Sequence, residues 1–141
     1  MTKLGKTEKF QDGGKPSKTV KPSEIITVGD KEYNVEIADT EEARVDGLSR
    51  VKKLASDEGM LFVHDEVTSG YYTMKDTSID LDIIFIDKDG TVIKVVTAAA
   101  HSQDPIECDN YLYVLEVNAN SGIEEGDELN FEDNSFTEEE E

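Results

Sequence analysis

Four consecutive apolar residues, Ile83 to Ile86, stand between Asp82 and Asp87. A run this short, with charges at both ends, predicts a strand covered on both faces. It is taken as the central strand of the domain, running to Asp87. Upstream, Tyr33, Val35 and Ile37 alternate with polar neighbours, which predicts a half-buried strand over Lys31 to Ala38. Ile25 to Val28 pairs with it across Gly29-Asp30. Asp39-Thr40-Glu41-Glu42 opens a short helix, capped by Asp39 or Thr40, with Glu42 three after Asp39 as in a capping box. That helix ends near Gly47-Leu48. Gly59 to Val63 and Gly70 to Met74 predict two further short strands. Asp87-Lys88-Asp89-Gly90 is a hairpin turn, and Thr91 to Thr97 returns across it. A long loop, Ala98 to Asn110, precedes a strand at Tyr111 to Val117 and a last one at Asp127 to Phe131. Roughly eight short strands and one helix predict a sandwich or barrel.

The two ends of the chain differ from this pattern. Residues 1–23 contain Gly13-Gly14, Pro16, Pro22, spaced lysines and a lone aromatic, Phe10. Such a segment builds no core and is expected to be extended or disordered by itself. The expected organisation is an arm over 1–23, a β-domain over 24–132 and an acidic tail over 133–141. Net charge is -19, from 33 acidic and 14 basic residues. The arm holds Lys3, Lys6, Lys9, Lys15, Lys18 and Lys21 against Glu8 and Asp12, so the negative charge lies in the rest. From Glu124 to Glu141 the chain is rich in carboxylates and has no base. A body this acidic repels phosphates and is not expected to bind nucleic acid directly. No apolar run is long enough for a membrane helix, and the N-terminal residues lack the apolar stretch of a secretory signal. The expectation is a soluble protein without membrane association, from the cytoplasm or a viral particle. Cys108 is the only cysteine, which excludes an internal disulfide.

Eight motifs then occur in order: V-E-I-A-D-T (Val35 to Thr40), G-L (Gly47-Leu48), E-G-M-L-F-V (Glu58 to Val63), M-K-D-T (Met74 to Thr77), L-D-I-I-F-I-D (Leu81 to Asp87), D-G-x-V (Asp89 to Val92), V-L-E-V-N-A (Val114 to Ala119) and G-I-x-x-G-D (Gly122 to Asp127). This succession resembles the DUF192 family, small proteins of unknown function found in bacteria, archaea and some phages. The resemblance implies a mostly β, compact, jelly-roll-like or barrel-like domain with one short helix. It supplies no proven reaction, and no cofactor is expected. Three positions and one segment depart from the family pattern. Thr73 stands where tryptophan is usual, Asp76 where asparagine is usual, and Val51 where arginine is usual, with Arg50 one place earlier. The helix between V-N-A and G-I is reduced to Asn120-Ser121.

Lys75, Asp76, Asp82 and Glu116 are the polar positions inside these motifs. They form either a small polar cleft or an ion-pair network closing the ends of the sheet, and the network is the preferred reading because such networks are common. Asp80 and Asp82 flank Leu81 and share one face of an extended segment. Two carboxylates fall short of the ligands a hard cation needs, so no metal site is assigned. Asp87 to Gly90 resembles the start of a calcium loop but lacks its later ligands, and is a turn. His64 follows a strand as a surface residue. His101 and Cys108 share the long loop without the surroundings of a catalytic nucleophile, so no catalytic residue is assigned. Tyr71, Tyr72, Tyr111 and Tyr113 are expected in strands, mostly at the core. The functional expectation is a non-catalytic binding or structural accessory module. Its arm (Lys3, Lys6, Lys9, Phe10, Lys15, Lys18, Lys21) docks on a partner protein or larger assembly, including a virion or decoration component. The alternative is a small ligand-binding or hydrolytic domain using Lys75, Asp76, Asp82 and Glu116.

Overall fold

The computed structural model describes residues 20–49 and 51–132. Its elements are β1 (Val20–Val28), β2 (Lys31–Ala38), α1 (Glu41–Asp46), β3 (Glu58–Tyr72), β4 (Leu81–Ile86), β5 (Val92–Ala98), β6 (Ile106–Asn118) and β7 (Leu129–Phe131). All seven strands join one sheet in the order β5-β4-β6-β3-β2-β1-β7. Neighbours are antiparallel except β2 and β3, which run parallel and are connected through α1. The sheet curls into a half-barrel, the barrel-like of the two expected forms.

Several features differ from the sequence reading, one being that β6 starts at Ile106, inside the loop expected over Ala98 to Asn110 and ahead of the strand expected from Tyr111. The runs Gly59 to Val63 and Gly70 to Met74 are not two strands but the two halves of β3, because the polar residues between them continue the ladder with β6 through register shifts. The apolar run Ile83 to Ile86 is buried on both faces as expected, yet β4 lies next to an edge strand, and β3 is central. β1 starts at Val20, ahead of the expected boundary at residue 24, and its pairing shifts register between Lys21 and Glu24, where Pro22 has no N–H to offer. The helix cap is Thr40, whose side chain accepts from Ala43 N at 3.1 Å. The residue three after this cap is buried Ala43, so the capping box expected between Asp39 and Glu42 does not form. Gly47 ends the helix at φ 50°, its N–H donating to Ala43 O at 3.0 Å.

The concave face holds Ile26, Val28, Tyr33, Val35, Ile37, Leu61, Ile84, Ile86, Leu115 and Val117. Its mouth is narrowed by the segment before β7. Val92 N donates to Asp127 O at 2.8 Å and Leu129 N to Gly90 O at 2.7 Å, while Leu129 also pairs with Val28. The two edges of the sheet are thereby drawn together at one end.

The convex face is covered differently. Tyr72 and Phe62 belong to the same strand and would lie about 33 Å apart if it were straight. Their ring centroids are 5.8 Å apart. The register shifts between Val63 and Gly70 therefore mark a fold-back, and the far half of the β3–β6 ladder lies over the outer face. With α1 and the segment after it, this flap encloses a second core of Met60, Phe62, Tyr72, Met74, Leu81, Ile83, Phe85, Tyr111 and Val114, with Leu48 at its edge.

The β3–β6 crossing leaves no room at Gly59. A Cβ there would meet Glu116 O at 2.5 Å and Val117 Cγ1 at 2.7 Å. Gly59→Ala is expected to lose roughly 2 kcal/mol by overpacking. Chemical denaturation checks this, and a midpoint equal to wild type would contradict the close approach.

Candidate functional site

The four polar motif residues do not share a cleft. Paired residues of neighbouring strands point to the same face. Asp82 pairs with Val117, which faces the concave core, and Ile83 pairs with Glu116, which faces the convex one. The two carboxylates thus leave the sheet on opposite sides, as adjacent positions of a strand must. Lys75 and Asp76 are exposed in the turn after β3.

Asp82 is a closed structural centre. Its oxygens accept from Thr97 Oγ1 at 2.6 Å, Ser121 Oγ at 2.7 Å, Ser121 N at 2.9 Å and Asn120 N at 3.2 Å. Burial pushes its pKa up, but the bonds from Thr97, Ser121 and Asn120 prevail and hold it below the ordinary aspartate value. The shortened Asn120-Ser121 connection is what reaches Asp82. Asp80 accepts from Ala100 N at 2.8 Å. Asp87 Oδ1 accepts from Asp89 N at 2.9 Å and Thr91 N at 3.0 Å, which makes the turn ending at Gly90. Among the described residues no three His, Cys, Asp or Glu side chains gather as metal ligands would. Cys108 lies in β6 opposite Gly70, and burial, partly offset by Lys94, pushes its thiol pKa up, away from thiolate chemistry. His101 is exposed, with φ 65°. Of the expected docking arm, Lys3, Lys6, Lys9, Phe10, Lys15 and Lys18 lie outside the described residues, and Lys21 belongs to β1 and pairs with Ile37 of β2.

Glu116 is the opposite case to Asp82. It is 0% exposed, and neither carboxyl oxygen has a hydrogen-bond partner. It lies between Met60 and Ile83 on the convex face, and its charge is felt by Tyr72. Burial pushes its pKa up to about 7. A carboxyl in apolar surroundings holds its proton because the anion has lost its water.

The convex core opens to solvent beside α1. There a cleft of about 260 Å³ is lined by Arg44 and Val45 of the helix, His64, Thr68 and Tyr72 of β3, and Tyr111 of β6, with Glu41 at its rim. The floor is fixed by edge-to-face ring contacts: Tyr111 on Phe85 at 5.0 Å, Tyr72 on Phe85 at 5.9 Å, and His64 on Tyr111 at 5.4 Å. His64 Nε2 and Tyr72 Oη are 2.7 Å apart. Burial pushes Tyr111 up to about 12 and Tyr72 well above the usual phenol, so both rings are neutral donors and acceptors. Half-buried Arg44 donates from Nη1 to Val63 O at 2.7 Å, which ties the helix to the start of the fold-back. The sequence reading placed His64 at the surface and the tyrosines near the core. It did not include Arg44, which reaches the same place only because β3 bends back.

A family model for DUF192, described as an uncharacterized ACR group, matches residues 24–131. The chain belongs to the DUF192 family. Two crystal structures share the fold of this DUF192 protein. One is a protein of unknown function from Novosphingobium aromaticivorans DSM 12444, at 25% identity and a TM-score of 0.74, the match covering 84% of this chain and 99% of that one. The other comes from Sinorhizobium meliloti 1021 and is proposed as a transcription regulator, at 31% identity and a TM-score of 0.75, covering 84% and 98% respectively. No curated protein matches at a significant level.

Proposed function

We propose that this DUF192 domain is a non-catalytic binding module whose site is the cleft between α1 and the folded-back β3–β6 ladder. One observation carries the reading: a guanidinium, an imidazole and two buried phenol rings from three elements converge on one concave surface. Concave surfaces with convergent, fixed polar groups are candidate sites for small molecules, and this one is lined mainly by polar side chains. The volume of about 260 Å³ falls below the range of drug-sized ligands and suits a small one. Among the lining hydroxyls and imidazole, His64 Nε2 lies 2.7 Å from Tyr72 Oη and Ser69 Oγ accepts from Asn110 N at 3.0 Å, which favours binding over hydrolysis. The relative from Sinorhizobium meliloti is proposed as a transcription regulator. For this chain, a net charge of -19 supports a ligand-responsive role rather than direct contact of the body with DNA.

The test is amide chemical-shift mapping with a mixed set of small neutral, cationic and anionic fragments. Shifts are expected to cluster at His64, Thr68 to Tyr72 and Tyr111. Shifts confined to the β5 edge or the concave face would contradict the reading.

A further inference from the structure

We infer that the cleft takes a small carboxylate, held by the Arg44 guanidinium; this rests on the binding reading above and names its ligand class. Arginine carries five N–H donors in a planar fork and cannot lose its charge. The hydrogen bond to Val63 O uses one of them. Among the described residues no carboxylate forms an ion pair with Arg44, although the chain has 33 acidic residues and Glu41 sits one helical turn earlier at the rim of the same cleft. A half-buried cation whose fork is largely unused by the described residues, in so acidic a protein, is suited to an acceptor that those residues do not supply. The floor beside it consists of the Tyr72 and Tyr111 rings, with Val45 on the wall. The two rings are nearly buried and offer only their edges to a small body, while the fork matches the two parallel oxygens of a carboxylate. Thr68, which also lines the cleft, carries a hydroxyl that can donate.

Benzoate, benzamide and benzamidine share one ring and differ in the head group: anionic, neutral and cationic. Titration of each into the full chain, followed by NMR, is expected to give binding at the cleft with benzoate at least about tenfold tighter than the other two, the amount one charge-assisted pair supplies. Arg44→Gln is expected to erase that preference, and Arg44→Lys, which keeps charge but not the fork, to retain part of it. Thermal unfolding checks that both variants are folded, and the comparison of the three probes on the wild-type chain needs no variant. Benzamide or benzamidine binding at the cleft as tightly as benzoate would overturn the carboxylate assignment and leave the binding reading standing. Absence of all three from the cleft would overturn both.

Discussion

Glu116→Leu is expected to stabilise the domain by roughly 3 kcal/mol at pH 8 and to leave it nearly unchanged at pH 4. The residue is fully buried and neither oxygen is bonded, so no hydrogen bond replaces the anion's lost hydration. Its pKa moves from 4.5 to about 7 on folding. The native state therefore binds this proton more tightly than the unfolded chain does. Full stability is present below 4.5, falls as pH rises from 4.5 to about 7, and levels off above. That span corresponds to roughly 3 kcal/mol. Leucine fills a similar volume between Met60 and Ile83 and does not titrate. Urea unfolding of both chains from pH 4 to 8 isolates the effect, because every other titrating group is shared. A difference that stays constant across this range would show that Glu116 is ionised and paired.

Asp82→Ala is expected to cost roughly 3 kcal/mol or more at pH 7. Four donors from Thr97, Asn120 and Ser121 converge on its carboxylate, and alanine leaves all of them unsatisfied at one mouth of the half-barrel. The sign of its pH dependence is opposite to that of Glu116. The folded pKa is depressed, so its stabilisation is present above the ordinary value of 3.8 and is lost as pH falls through the folded value. Denaturation at pH 7 and at pH 3 reads both effects. A variant with wild-type stability at pH 7 would show that these bonds do not hold the Asn120-Ser121 connection in place.

The two carboxylates show where sequence reasoning reached and where it stopped. Strand positions were legible because period-2 alternation and turn residues act locally, as in Tyr33, Val35 and Ile37 or Asp87 to Gly90. The same alternation puts Asp82 and Glu116 on opposite faces once their strands are paired in register. That register is a long-range property, and it divided the motif residues between a bonded anchor and an isolated acid. The cleft was less legible still. Arg44 and His64 are twenty residues apart in the chain, and Tyr111 is farther away. They meet because β3 bends between Val63 and Gly70. The sequence there, His64 to Ser69, reads as a polar break between two strands. Only its pairing with Tyr111 and Cys108 in β6 reveals a single bent one.

Carboxylate binding by Arg44, as proposed for the cleft, is read from the arginine side-chain Nε–H resonances of a ¹⁵N-labelled chain during benzoate titration. The chain has two arginines, Arg44 and Arg50, and the Arg44→Gln variant assigns the signals. A saturable shift of the Arg44 resonance is expected, with the His64 and Tyr111 ring signals moving at the same midpoint. An Arg44 resonance that stays in place while benzoate shifts signals elsewhere would contradict it.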